Sequence, residues 1–451
     1  MPRKYTINEA GCLNQYADDA ERCPAQLKKF GLIKRYRAKQ AKKAPQTKRV
    51  DATLDVGIRK RFGDTPPRFM LAGPRDPRRY GWKKPAAIRA AILTGGGVAP
   101  GLNRVIHAIV KRHCDTYHLN EQRGGIVYGI RDGFRGFSAA PEHVRMTKLT
   151  PAETERWIDR GGTMLGSLRG AKEPKEVDKW LKVLRYFELD VLYVIGGNGS
   201  QTAAFELYRK IQKTSDGLKT VIAGIPKTMD NDIFWTDRSF GFQSTVDEAA
   251  HVIKALRDDA LSTRRVCIIE LFGAESGFVA ASASLASGCV DAVLVPEEFE
   301  RYGINENELC GYLKRCVAKH DEEEGGGFGV IVAAEGVLLK RGDEKLDVER
   351  LKVLIKNEMG RDEDQMLVNQ PRHLIRAIPP NPSDHAYCQR LADLAVDNAL
   401  AGFTGFVVTR WLSRFVLVPL RHVANRAKKI DTEELFWRQV VDSTGQPEFA
   451  K

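Results

Sequence analysis

Residues 190–207 read DVLYVIGGNGSQTAAFEL, from Asp190 to Leu207. The run from Val191 to Ile195 is apolar and rich in β-branched and aromatic side chains, the composition of a strand buried on both faces. Gly196 and Gly197 then make a turn, and SQTAAFELYRKIQK reads as a helix. Strand, glycine turn and helix N-terminus in succession are how a chain commonly seats a phosphate, because backbone N–H groups and the helix dipole converge on one point. Gly199 leaves room beside that point for the phosphates of a nucleotide, and Ser200 offers a hydroxyl. At the centre stands Asn198, where a turn managing Mg²⁺ would ordinarily carry a carboxylate.

The same pattern recurs on both sides. AIRAAILTGGG is followed by LNRVIHAIVKRH, TVIAGIP by STVDEAAHVIKALRDDA, RRVCIIELFG by GFVAASASLASG, and DAVLVPE and GGFGVIVAAEG add further apolar runs. This alternation predicts an α/β protein with a mostly parallel sheet and covering helices, which binds ligands at the C-terminal ends of its strands. The glycine turns fall at those ends. In LTGGGVAPGLNRVI, Gly95, Gly96 and Gly97 follow a strand and Gly101 precedes a helix, a turn suited to an anion or simply to tight packing. It lacks both the Gly-Lys-Ser/Thr of a P-loop and the GxGxxG of a dinucleotide fold.

A third turn, GIPKTMDNDI from Gly224 to Ile233, gathers Lys227, Thr228, Asp230 and Asp232 at the end of a strand. Two carboxylates two residues apart, beside a hydroxyl and an ammonium, fit phosphoryl transfer to an alcohol: one carboxylate takes the hydroxyl proton and the other supports a metal or the local network. An Asx-rich turn without chemistry is the alternative for this motif by itself.

The chain has 451 residues, 43% hydrophobic and 29% charged, enough for two lobes with cores of their own. Its most apolar late stretch, AGFTGFVVTRWLSRFVLVPL, is interrupted by Arg410 and Arg414 and reads as buried strands rather than a membrane span. The N-terminus lacks the apolar core of a signal peptide, so an intracellular, cytoplasmic protein is expected. Eight cysteines without CxxC pairs or Cys/His ligand spacing indicate neither a disulfide framework nor a zinc site. The net charge of +13 is concentrated early, in LKKFGLIKRYRAKQAKKAPQTKRV, residues 27–50. The two aromatic residues of that stretch, Phe30 and Tyr36, do not make the interleaving that supports base stacking, so it reads as a solvated or interface-lining extension more than as a nucleic-acid or membrane arm. The globular pattern is expected to begin near Ala87, giving an extension and connector over 1–86, a catalytic domain over 87–420 and a helical tail over 421–451.

Taken in order, GPRDPRRYGWKKPAAIRAAILTGGGVAPGLN, YGIRDGFRGF, GGTMLGSLRG, LYVIGGNGSQ, AGIPKTMDNDI, FGFQSTVDEA, SGFVAASASLASG, VLVPEE, HLIRAIPPNPSDHAYC and AGFTGF resemble the 6-phosphofructokinases. Within that family the chain is most similar to the plant and trypanosomatid ATP-dependent branch, itself related to the pyrophosphate-dependent enzymes. The resemblance spans about residues 71–419. It implies two Rossmann-like lobes, with the phosphoryl donor in one, fructose 6-phosphate in the other and the chain crossing between them.

By motif, the resemblance makes Asp230 the base for the sugar 1-hydroxyl, with Thr228 beside it and Asp232 in support or at Mg²⁺. Gly97, Arg169, Lys172, Gly199, Ser200 and Lys227 fall at donor-phosphate positions, and Arg169 would also neutralise charge on the transferred group. Gly273, Glu297, His373 and Arg376 fall at sugar-phosphate positions. Arg265 matches an arginine that reaches the sugar phosphate from a neighbouring subunit, which implies a homo-oligomer, a dimer or tetramer. Gly199 favours ATP as donor, since pyrophosphate-dependent relatives commonly carry an acidic side chain there; Lys227 is shared by both kinds.

Two positions depart from the family pattern. Asn198 replaces the Asp of GGDG, weakening the metal position, and Ala274 replaces the arginine of MGR. One such stabilising group is worth about 3–4 kcal/mol in a transition state. A slow enzyme or a non-catalytic, metabolite-binding subunit of the same fold is therefore the main rival reading. A lipid or NAD kinase shares only the glycine turn, and PKTMDND and HLIR argue against it.

Overall fold

A computed structural model describes residues 69–73, 75, 85–168, 176–214, 217–318, 320, 327–337, 346–359 and 363–449. The basic stretch 27–50, Arg169 and Lys172 lie outside the described residues.

The chain divides into two compact units: one comprises residues 1–228, 233–240 and 379–426, the other 229–232, 241–378 and 427–451. Strands of the first unit are β1 Met70–Leu71, β2 Arg89–Thr94, β3 Ile126–Ile130, β4 Met146–Lys148, β5 Val191–Gly196, β6 Val221–Pro226, β11 Phe406–Trp411 and β12 Arg414–Pro419. Those of the second are β7 Val266–Leu271, β8 Ala292–Leu294, β9 Gly329–Ala334 and β10 Met366–Asn369. Helices of seven or more residues, in chain order, are α1 Leu102–Lys111, α2 Val177–Tyr186, α3 Asn198–Lys213, α4 Phe242–Thr263, α5 Phe278–Ser287, α6 Pro296–Tyr302, α7 Glu306–Ala318, α8 Val348–Met359, α9 Pro382–Leu400 and α10 Leu435–Thr444.

In the first unit the strand order is β1-β12-β11-β6-β5-β2-β3-β4. The central β11, β6, β5, β2 and β3 are parallel, while β12, β1 and β4 pair antiparallel. Every residue of β5 and β6 is buried, as the continuous apolar runs predict. From β2 the chain moves outward to β3, and from β5 it moves the opposite way to β6, so the order reverses between β2 and β5. Such a switch point is where open α/β sheets bind ligands. Helix α1 buries Leu102, Val105, Ile106, Ile109 and Val110, one face at helical spacing, in a core shared with Ala392, Ala395 and Ala399 of α9.

The stretch interrupted by Arg410 and Arg414 forms the β11–β12 hairpin, with Leu412 and Ser413 at φ 48° and 61° in the two-residue turn. Two boundaries differ from expectation. The pairing of Met70 and Leu71 with Leu417 and Val416 extends the sheet before residue 87; a two-residue edge strand carries no periodic signal. Segment 421–451 carries helix α10 and is divided between the two units. From residue 427 onward it belongs to the second unit, where the Gln446 side chain accepts from Val293 N at 2.7 Å on β8 and Phe449 stacks on Tyr312 at 3.7 Å between centroids.

The second unit has a four-stranded parallel sheet, β10-β7-β9-β8, with α5, α8 and the tail helix α10 contributing to its core. Among the described residues no helix is long and apolar enough to cross a membrane.

Candidate active site

The two glycine turns meet at the switch point of the first unit. Gly95 N donates to Ile195 O at 2.8 Å, continuing the β2–β5 pairing into the turns. Ser200, in the first turn of α3, is fully buried, and its Oγ has no hydrogen-bond partner among the described residues. A Cβ on Gly95 would stand 2.5 Å from that oxygen, and one on Gly196 would stand 2.4 Å from it, so both positions exclude any larger residue. A buried hydroxyl in this position is costly unless something accepts or donates to it, and a phosphate oxygen at the helix N-terminus would do so. No side chain caps the helix and no acidic residue lies in its first turn, which keeps the end electropositive. Gly199 is exposed, and Asn198 is half-buried with its Oδ1 inward.

The third turn reaches into the first. Lys227 is 4% exposed, and its Nζ donates to Gly97 O while standing 3.2 Å from where a Gly96 Cβ would lie. Gly96 has φ 82°, a conformation glycine adopts without strain. The ammonium is thus fixed under the β2 turn, and Lys227 N donates to Gly196 O at 3.1 Å, tying it to the β5 turn as well. Gln201 clips the same strand ends by donating from Nε2 to Gly196 O at 2.9 Å and Ile225 O at 3.2 Å. Thr228, buried, has its carbonyl held by Ser239 Oγ.

Asp230 and Asp232 belong to the second unit, immediately after Thr228 in the chain. Between them Asn231 takes φ 54°, turning the backbone sharply. Ser276 Oγ donates to Asp230 O at 3.2 Å and Lys428 N to Asp232 O at 2.7 Å.

Gly273, Glu297 and the 370–376 loop follow the C-terminal ends of β7, β8 and β10. Gly273 has φ 143°, and a Cβ there would meet Ser276 O at 2.5 Å. His373 is exposed; its Nδ1 is 2.9 Å from Arg376 Nη2, and the Arg376 guanidinium lies 5.5 Å from the Phe272 ring centroid. A cation therefore stands at the end of β7 although residue 274 is alanine. Arg265 is elsewhere: it precedes β7, whereas Gly273 follows it, and a six-residue strand separates the two by about 20 Å. It cannot join Gly273 within one chain.

Glu297 is occupied in a way the motif does not reveal. Gly277 N lies 3.1 Å from both of its oxygens, and Ile430 N donates to Oε1 at 2.9 Å. Burial raises its carboxyl above the ordinary range, opposed by those backbone donors. A sugar hydroxyl can reach only its remaining lone pairs. Gly277, Lys428 and Ile430 act here through backbone N–H groups, which leave no mark in residue identity, and Ser276 through a hydroxyl whose partner, a backbone carbonyl, leaves none either.

Burial pushes the neighbouring Glu298 up to about 7 from 4.5, against the pull of Arg301, Thr432 and Trp437. With the folded value raised, the native state keeps a proton that the unfolded chain has released. The contribution of Glu298 to stability is therefore fully present below about pH 4.5 and is lost as pH rises through about 7. After screening, the loss is on the order of 1–2 kcal/mol. Glu298→Gln is expected to flatten this dependence and raise the denaturation midpoint at pH 8, measured by urea unfolding from pH 5 to 8.

Glycine turns at a switch point, a buried ammonium and paired carboxylates on the next strand end define a phosphate-handling α/β protein. The phosphofructokinase family model matches residues 89–399, and the chain belongs to that family. It is 35% identical over 410 residues to an ATP-dependent 6-phosphofructokinase of Amycolatopsis methanolica, covering 84% of this chain and 83% of that one. ATP-dependent 6-phosphofructokinase 2 of Arabidopsis thaliana is 32% identical over 402 residues, covering 84% and 85%. The Trypanosoma brucei brucei enzyme of that activity is 32% identical over 372 residues, covering 80% and 73%. Among solved structures, a pyrophosphate-dependent phosphofructokinase from Nitrosospira multiformis superposes with a TM-score of 0.67 at 19% identity, over 80% of this chain and 93% of that one, a likeness of fold.

Proposed function

We propose that this protein is an ATP-dependent 6-phosphofructokinase, transferring the terminal phosphoryl group of ATP to the 1-hydroxyl of fructose 6-phosphate. The observation that carries this is Lys227, three residues before Asp230, whose buried ammonium donates to Gly97 O of one glycine turn while its backbone N–H donates to Gly196 O of the other. In this reading Gly97, Gly199 and Ser200 receive the donor phosphates, and Gly273, His373 and Arg376 receive the sugar phosphate. Asp230 takes the proton from the 1-hydroxyl as that oxygen bonds to the terminal phosphorus; the bond from phosphorus to the bridging oxygen breaks, and ADP leaves with the electron pair. Thr228 and Asp232 hold the acceptor and the local charge. Arg169 and Lys172 are proposed to add positive charge on the donor side.

Mg²⁺ supplies charge neutralisation on the phosphates when bound. The described residues contain no group of three or more His, Cys, Asp or Glu able to hold a metal by themselves. Asp232 is proposed to offer the ion a carboxylate oxygen and Asn198 a weaker amide one. The placement of Arg265 at the far end of β7 supports a homo-oligomer in which it serves a neighbouring subunit. A cytoplasmic enzyme is proposed with it.

Coupled assays with fructose 6-phosphate, Mg²⁺ and either ATP or pyrophosphate test the reading. Turnover with ATP is expected; pyrophosphate alone as donor would revise the donor. Sugar-phosphate binding without turnover would favour the second reading, a non-catalytic subunit, which Asn198 and Ala274 motivate. Asn198→Asp is expected to tighten Mg²⁺ and raise kcat by up to about tenfold, the equivalent of 1.4 kcal/mol from one restored charge. A fall in kcat would show a site rebuilt around the amide.

A further inference from the structure

Residues 428–430 lie beyond the stretch that the family model matches, which ends at 399. Within the second unit they nevertheless close a ring of hydrogen bonds around the Asp230–Asp232 loop. Lys428 N donates to Asp232 O at 2.7 Å, and Ile430 N, two residues on, donates to Glu297 Oε1 at 2.9 Å. Glu297 in turn accepts from Gly277 N, at 3.1 Å from each oxygen, and the adjacent Ser276 Oγ donates to Asp230 O at 3.2 Å. Asp230, Ser276, Gly277, Glu297, Ile430, Lys428 and Asp232 are thereby linked in a closed circuit. Glu297 and Ser276 are 6% and 0% exposed, so water competes poorly for these bonds.

We propose that Glu297 and the Lys428–Ile430 backbone are positioning residues for the proposed base Asp230, setting the pitch of its loop. Two carbonyls, one on each side of Asn231, are held from opposite ends of the circuit. The αL turn at Asn231, φ 54°, then fixes where both carboxylates leave the backbone. The intervening cost is an uncommon backbone conformation, which persists only where its surroundings over-determine it. The ionised Glu297 carboxylate suits this task because both of its oxygens only accept, so neither sets an N–H or O–H against the Gly277 and Ile430 donors. The Lys428 side chain takes a separate place, its Nζ 4.7 Å from the Phe278 ring centroid.

This inference rests on the assignment of Asp230 as base, and the test separates the two. Wild-type turnover with fructose 6-phosphate and ATP is measured first; its absence would defeat the functional reading itself. With turnover in hand, Lys428→Pro removes the N–H that holds Asp232 O. A displacement of reacting groups by about 1 Å costs about 10²-fold, so kcat is expected to fall by about that factor while KM for the sugar phosphate changes less than about threefold. Lys428→Ala keeps the N–H and is expected to lose at least tenfold less than the proline variant. Glu297→Gln keeps one acceptor oxygen for both backbone donors but sets an NH₂ near Gly277 N in place of Oε2, so a kcat-specific loss smaller than that of the proline variant is expected. Should Lys428→Pro fail to fold, the α-hydroxy analogue of lysine at 428, which replaces only the N–H by oxygen, takes its place. A rise in KM with kcat intact in Glu297→Gln would make that residue a plain sugar contact. Equal losses in the proline and alanine variants, or none in either, would overturn the positioning role.

Discussion

Asp230→Asn lowers kcat by about 10²–10⁴-fold, the usual worth of a positioned general base, and leaves the unfolding midpoint nearly unchanged. The amide has the carboxylate's shape but cannot take the proton of the 1-hydroxyl. Stability is expected to survive because the fold holds residue 230 through its backbone, Ser276 Oγ donating to the carbonyl at 3.2 Å. Steady-state kinetics across pH 5–9 give the check. The variant's rate should stay low at every pH in that range. A variant within tenfold of wild type would remove Asp230 from the role and move attention to Asp232.

Lys227→Met is expected to act on the donor side. Its Nζ is buried, donates to Gly97 O and sits 3.2 Å from the position a Gly96 Cβ would occupy. Methionine fills much of the volume and removes the charge, so the β2 turn loses its clamp and the donor phosphates lose a fixed cation. A fall of about 10²–10³ in kcat/KM for ATP is expected, corresponding to about 2.7–4 kcal/mol for one preorganised stabilising group. The effect on KM for fructose 6-phosphate should be much smaller. Lys227→Arg should not rescue, since a planar guanidinium needs more room than the space under Gly96 provides. Rescue to within threefold of wild type would mean that charge alone is required there and that the geometry of the turn is incidental.

How far the sequence carries can be judged at particular residues. The buried strands β5 and β6 and the turns after them were legible, because a fully buried parallel strand is a continuous apolar run and the turn that follows needs glycine where Ser200 Oγ leaves no room for a Cβ. The hairpin at Leu412 and Ser413 was legible as two strands interrupted by arginines. Strand β1 was not, since two residues cannot show a period of two convincingly. The tail was read as lying outside the domain because sequence order says nothing about distant edges: Gln446 completes the edge of β8, more than 150 positions earlier. At the candidate site, charged and hydroxyl side chains were visible as residue types. The occupation of Glu297 by Gly277 N and Ile430 N was not, because those donors belong to the backbone and any residue but proline could supply them.

Phosphorus NMR of the purified protein with fructose 6-phosphate, Mg²⁺ and equimolar ATP and pyrophosphate distinguishes the two donors, because both of them and the sugar product are seen in one sample. An ATP-dependent 6-phosphofructokinase gives loss of the ATP γ-phosphate resonance, appearance of ADP and a new phosphomonoester on the sugar C1, with pyrophosphate left intact. Unchanged ATP alongside bound fructose 6-phosphate, or consumption of pyrophosphate in its place, would contradict it.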